Sequence, residues 1–239
     1  MSTTVGTEFQ EATRELGITG SIEKRALLWL AARMPAGVDS DHLTALGFAS
    51  TLVAGLLYAA SASQPWLVLL VNLALLANWF GDSLDGTLAR FRGRSRPRYG
   101  FYVDHLVDSI GAIALVLGLA ASGLMSPLVA AAVLVAYLLL SIEMFLATYT
   151  LARFKIAYGG FGGTELRIAL ALVNVAVFVW PGPLPFGVRL FDVAGVAAAT
   201  ALAAAFTVSA VRNATRLRDE EAHREVGEHE KPGARTSRL

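Results

Sequence analysis

The sequence predicts an all-α fold, a polytopic membrane helix bundle of six transmembrane helices preceded by an interfacial amphipathic helix. Three observations carry this. Hydrophobic residues make up 55% of the 239 and charged residues only 16%, against roughly a quarter charged in a soluble domain. The apolar residues gather into six long runs, a pattern that suits a bilayer better than a soluble core. The basic residues fall in alternate connections between those runs, as they do when one side of a membrane retains them.

Taken in order, residues 1–20 are polar and hold no apolar core of a signal peptide, so the first span is expected to direct insertion. Residues 21–35 include Ser21 to Met34, where Leu27, Leu28, Leu30 and Ala31 form one face and Lys24, Arg25 and Arg33 the other. Such a helix suits the cytoplasmic interface; the plainer reading is a connector helix with a polar face. The catalytic bundle is expected over residues 40–211. Its spans are Leu43 to Ala60, Trp66 to Arg90, Phe101 to Ala121, Pro127 to Ala147, Leu166 to Trp180 and Phe191 to Val211. Each is near the ~20 residues that cross ~30 Å of hydrocarbon. Breakers part them at Ser63-Gln64-Pro65, Ser122-Gly123, Gly159 to Gly163 and Pro181-Gly182-Pro183. The Ala-rich stretch Ala194 to Ala205 offers a close-packing face. Residues 212–239 are polar and charged and are expected to be a mobile cytoplasmic tail.

The charges orient the bundle. Lys24, Arg25 and Arg33 precede the first span. Arg92, Arg94, Arg96 and Arg98 lie between the second and third, Arg153 and Lys155 between the fourth and fifth, and Arg212, Arg216 and Arg218 after the sixth. The other connections carry only Arg189. Both termini are therefore expected in the cytoplasm, in keeping with an even number of spans, and an inner or plasma membrane is the expected location.

The segment Gly81 to Ser109 holds four aspartates. Asp82 and Asp85 are three apart near the cytoplasmic end of one span. Asp104 and Asp108 are four apart near the cytoplasmic start of the next. Both spacings put a pair on one helical face, and consecutive antiparallel spans bring the pairs to one depth. Carboxylates gathered at a membrane edge are costly and functional by default. Hard oxygen donors of this kind suit Mg²⁺ or Mn²⁺, four carboxylates have room for two ions, and a pair of ions suits phosphoryl transfer. Helix caps and surface ion pairs are the rival explanation. Gly86 and Ala89 share the face of Asp82 and leave room for a flat ligand or for a close helix. Arg90 follows, with a guanidinium suited to phosphate.

These residues resemble the motif of the CDP-alcohol phosphatidyltransferases. The pattern is Asp82, two residues, Asp85-Gly86, two residues, Ala89-Arg90, a gap, Gly100, three residues, Asp104, three residues and Asp108. All eight fixed positions are present, and the gap of nine residues, 91 to 99, is slightly longer than is usual for the family. The resemblance implies two divalent ions on the four aspartates. It implies a CDP site of Asp82, Asp85, Gly86, Ala89 and Arg90, with Asp108 as general base on an acceptor hydroxyl. It further implies a CDP-linked lipid donor, CDP-diacylglycerol, release of CMP, a cytoplasmic active site amid membrane lipids, and a homodimer.

The acceptor is less defined. Arg153, Lys155 and Arg167, with Glu165, are placed to meet a phosphorylated acceptor, or else to meet lipid headgroups. Glu143 lies within an apolar span and is either a site residue or satisfied by a neighbouring helix. Asp104-His105 and Asp108-Ser109 resemble the choline and ethanolamine phosphotransferase branch, whose acceptor is diacylglycerol. The segment Asp39 to Thr44 resembles the family's Thr-Pro-Asn-x-Leu-Thr but lacks its Pro and Asn. A cation channel would spread its carboxylates along a pore, and an inert membrane scaffold would not need the whole motif; a hydrolase using water as acceptor is the third rival. The absence of cysteine excludes a disulfide framework, a Cys-ligated metal and a Cys nucleophile. The histidines lack metal-binding spacing, the glycines near 160 lack the Gly-Lys-Ser/Thr of a P-loop, and no nucleic-acid partner is expected.

Overall fold

The computed structural model describes residues 20–151 and 162–229. All regular structure among them is helical: α1 (Gly20–Ala31), α2 (Ser40–Ser61), α3 (Leu67–Phe91), α4 (Pro97–Ala121), α5 (Pro127–Leu151), α6 (Gly163–Val179) and α7 (Leu190–His229), with a single 3₁₀ turn at Pro185–Gly187. Five of the helices, α2 to α5 and α7, are long and apolar enough to cross a membrane, and the protein is a polytopic helical membrane protein. The fifth expected span is α6, which has 17 residues. At 1.5 Å per residue it rises ~25 Å, at the short limit for a span.

The sixth expected span ends at Val211, but α7 does not. It continues through the charged residues that follow, and the segment expected to be a mobile tail is helical from Arg212 to His229. Arg216 and Glu220, one turn apart, pair at 2.6 Å on this stretch, which favours continued helix.

Between helices in a membrane, close packing replaces the hydrophobic effect as the driving force. Here α2 is the hub, packed on α3 along one side and on α4 along another. Small residues make both contacts possible. A Cβ on Gly81 of α3 would stand 2.5 Å from the Gly47 nitrogen and the Leu43 oxygen of α2. A Cβ on Gly118 of α4 would stand 2.0 Å from the Gly55 oxygen of α2. The α3–α4 connection is short: α3 closes with Gly93 at φ 64°, the left-handed position that ends many helices, and α4 opens on Pro97. The turn reverses the chain so that α3 and α4 both lie against α2.

Buried polar groups tie the other helices in. Tyr58 of α2 donates to Asn174 Oδ1 of α6 at 2.8 Å, and Asn174 Nδ2 donates to Asn72 Oδ1 of α3 at 2.7 Å. On the far side α5 packs on α7. The Ala-rich face of α7 is used there, with Gly195 against Met125 and Val129. Glu143 is satisfied within that pair, its Oε1 accepting from Asn213 Nδ2 at 2.6 Å. α1 packs on α3, where Leu27 and Ala31 join Leu43, Leu84 and Leu88 in one buried cluster. Leu28, expected on the same apolar face of α1, is exposed together with Ile22 and Trp29.

Candidate active site

The four aspartates sit on α3 and α4 near the short turn that joins them, on helices that both pack against α2. Counted along the helices, Asp85 and Asp104 lie ~9–11 Å from the turn, and Asp82 and Asp108 ~14–17 Å. The pairs thus form two levels. Asp82, Asp85 and Asp108 line one small cavity, closed on the α2 side by Thr44, Gly47 and Thr51. Asp104 is one turn nearer the start of α4, beside Gly100, whose Cβ position is 3.9 Å from Asp104 Oδ2. The charges of Asp82, Asp104, Asp85 and Arg167 all act on Asp108, which keeps an exposed flank.

Asp82 and Asp85 have local partners. Asp85 is buried; it accepts from Thr44 Oγ1 at 2.6 Å and from the Gly86 amide. Thr44 belongs to the segment Asp39 to Thr44, so the part of that segment lacking Pro and Asn still delivers a hydroxyl to the second aspartate. Asp82 accepts from Arg167 Nη2 at 2.6 Å, and Arg167 Nε donates to Asn78 Oδ1 at 2.7 Å. Arg167 comes from the first turns of α6, a helix packed on α3.

The Arg90 guanidinium lies over Gly86, 3.3 Å from its Cβ position. Arg90 also donates to Thr87 Oγ1 at 3.4 Å. Ala89 is half-buried beside it. Glu165 folds back on the start of its own helix, Oε2 accepting from the Gly162 amide at 2.9 Å. Glu143 is not part of this constellation. His105 stacks on Phe101 with ring centroids 4.3 Å apart, meets Phe145 of α5 edge-on, and has Nδ1 2.7 Å from the Phe101 carbonyl that accepts from it. Arg153 and Lys155 lie outside the described residues.

Two residues close to the aspartates were not singled out from the sequence. Asn78 lies one turn before Asp82 on the same face of α3, and its place as an amide within an apolar run was a usable signal. Tyr137 of α5, which senses the charges of Asp108, Asp82 and Arg167, carried no such signal, because tyrosine is unremarkable in an apolar helix.

The donor set can be tested against a divalent ion. Four carboxylates supply hard oxygens only, as Mg²⁺ and Mn²⁺ prefer, and a cationic group already rests on Asp82. Among the described residues no three acidic or histidine side chains are grouped as ready metal ligands, since Asp82 and Asp85 are turned toward Arg167 and Thr44. The chemistry of the donors fits; their rotamers are those of ion pairs and hydrogen bonds.

The arginines of the α3–α4 turn have structural work. Arg92 donates to the carbonyls of Met34, Pro35 and Val38, stapling the α1–α2 connection, and Arg96 pairs with Asp41.

No curated protein matches the chain in sequence. The family model for CDP-alcohol phosphatidyltransferase matches residues 40–210, a stretch that contains α2 to α6, the apolar part of α7 and all four aspartates. The chain belongs to the CDP-alcohol phosphatidyltransferase family, transferases of substituted phosphate groups that act between a CDP-alcohol and an alcohol acceptor.

Proposed function

We propose that this protein moves a phosphatidyl group from CDP-diacylglycerol to a hydroxyl acceptor at the cytoplasmic face of the membrane and releases CMP. The observation that carries the reading is the convergence of Asp82, Asp85 and Asp108, from two helices, on one cavity. Asp82, Asp85, Asp104 and Asp108 would hold two Mg²⁺ or Mn²⁺ ions. Bound there, the ions supply charge neutralisation for the pyrophosphate and its transition state. Arg90 swings off Gly86 to a phosphate oxygen, and Gly86 and Ala89 then leave the surface of α3 open to the cytidine. Asp108, with its exposed flank, takes the proton of the acceptor hydroxyl. That oxygen forms a bond to the phosphorus bearing the lipid, the bond from this phosphorus to the CMP phosphate oxygen breaks, and CMP leaves. Arg167, with Arg153 and Lys155 by their place in the sequence, meets an acceptor that carries phosphate; Glu165 shapes the start of α6 beneath it. The working unit is a homodimer embedded in lipid.

The test is CMP release by purified protein in detergent with Mg²⁺ or Mn²⁺. CDP-diacylglycerol is offered with glycerol phosphate, inositol, inositol phosphate, serine or phosphatidylglycerol in turn. Release that depends on one acceptor is the expected result. Release that needs no acceptor marks a hydrolase. Release only with a CDP-linked small alcohol and diacylglycerol reverses donor and acceptor. No release in any arrangement makes the protein a scaffold.

A further inference from the structure

Arg167 is held at the aspartates from several sides. Nε donates to Asn78 Oδ1 at 2.7 Å and Nη2 to Asp82 Oδ2 at 2.6 Å. Asn78 is itself oriented, because its Nδ2 donates to the Gly47 carbonyl at 3.0 Å, which turns Oδ1 to the guanidinium. Within the first turn of α6, a Cβ on Gly163 would stand 3.0 Å from Arg167 Nη1, so the guanidinium lies across ground that a side chain would crowd. Thr164 Oγ1 and Trp79 Nε1 both donate to Glu23 Oε1 at 2.8 Å, which fixes the start of α6 against α1 and α3. The Arg167 side chain is only 17% exposed.

A guanidinium in this seat brings to Asp82 the kind of charge that a divalent ion would bring. A divalent ion on Asp82 would share the carboxylate with the guanidinium seated 2.6 Å from Oδ2, and two cations that close repel each other. Without either, Asp82 would face the like charges of Asp85, Asp104 and Asp108 with no cation in this seat. We infer that Arg167 is a built-in counter-cation, seated on Asp82 until a divalent ion displaces it, so that competition inside the chain sets the affinity for that ion. The inference rests on the aspartates being the cation site proposed above. It assigns Arg167 a positioning role before any substrate binds, separate from its meeting an acceptor phosphate. It also makes the seat part of the device: Asn78 receives the guanidinium, and its removal weakens the competitor while leaving the charge on the chain.

The experiment uses the full chain in detergent, with no donor or acceptor. Free Mn²⁺ is followed by electron paramagnetic resonance during titration, and thermal unfolding is recorded in EDTA and in Mn²⁺. Arg167→Gln is expected to bind Mn²⁺ on the order of tenfold more tightly, since a unit charge in contact with Asp82 is gone. It should also unfold at a lower temperature in EDTA and regain the difference in Mn²⁺. Arg167→Lys keeps the charge and is expected to stay near the unaltered protein. Asn78→Ala is expected to tighten Mn²⁺ by a smaller factor. Unchanged or weaker binding by Arg167→Gln overturns the inference, as does Arg167→Lys binding as tightly as Arg167→Gln. Should Arg167→Gln fail to fold, Asn78→Ala decides, and unchanged affinity there overturns it. Asp82→Asn separates the two proposals. If the unaltered protein binds no Mn²⁺, or binds it with no sensitivity to Asp82→Asn, the cation site falls and this inference with it. If Asp82→Asn weakens binding while Arg167→Gln leaves it unchanged, only the counter-cation role falls.

Discussion

At the scale of single residues, Asp82 and Asp108 lie at the same depth on facing helices but in different company. Asp82 is paired with Arg167 at 2.6 Å, whereas Asp108 keeps an exposed flank beside the same cavity. A base must meet both its cavity and its substrate, which favours Asp108. Replacing it by Asn keeps shape and one oxygen donor. We expect Asp108→Asn to lower turnover by about 10²–10⁴-fold, the usual worth of a general base, while CDP binding changes little. CMP release and equilibrium binding of CDP check this, and unaltered turnover would take the base role from Asp108. The aspartates were legible in the sequence because their spacings of three and four are helical periods. Thr44 and Arg167 were less so: they reach Asp85 and Asp82 from other helices, and no period within one helix announces a contact across sequence separations of 41 and 85 residues.

At the scale of helices, the site depends on how closely α2 approaches its neighbours. Gly55 and Gly118 let α4 rest backbone to backbone on α2, with the Cβ position of Gly118 2.0 Å from the Gly55 oxygen. A methyl there has no flexible side chain to push aside. Gly118→Ala should therefore wedge α4 away from α2, at a cost of about 1–3 kcal/mol for overpacking. The wedge acts at the far end of the helix that carries Asp104 and Asp108, so Mn²⁺ affinity should fall along with the unfolding temperature. A loss of stability with undiminished Mn²⁺ binding would show that the aspartate end of α4 is positioned independently of the glycine contact. A second element-scale prediction concerns α5 and α7, joined through Glu143 and Asn213 at 2.6 Å. Polar contacts between membrane helices are modest. A double-mutant cycle of Glu143→Gln and Asn213→Leu should give a coupling of about 0.6–1.7 kcal/mol in unfolding measurements; zero coupling would make the contact incidental. Helix existence was legible from apolar run length, whereas the end of α7 was not. The bilayer dictates where apolar residues stop but not where a helix stops, and Arg212 to Ala222 are compatible with helix in water.

At the scale of the whole molecule, the surface carries a record of its surroundings. Leu56, Leu73, Leu117 and Leu128 all stand exposed on the bundle, as hydrocarbon permits and water would not. Trp66 opens α3 and Trp180 follows α6, both exposed, at helix ends that share one side if α6 spans. Tryptophan settles at either membrane interface, so Trp180 marks one end of α6 as interfacial, and a crossing by α6, with its 17 residues, is the point to test. Its short reach is offset if the bilayer thins locally or the flanking residues carry the chain to the interface. The chain contains no cysteine, which makes the question directly testable with single introduced thiols. Ser95→Cys lies in the basic α3–α4 turn, and Gly182→Cys lies between α6 and α7 with nothing within 4 Å of its Cβ position. With six crossings and basic connections inside, a membrane-impermeant maleimide added to intact cells should label Gly182→Cys and spare Ser95→Cys until the cells are opened. If neither is labelled before opening, α6 turns back without crossing and the two ends of the bundle lie on opposite sides. If Ser95→Cys alone is labelled, the bundle is inverted and the aspartates face the outside of the cell.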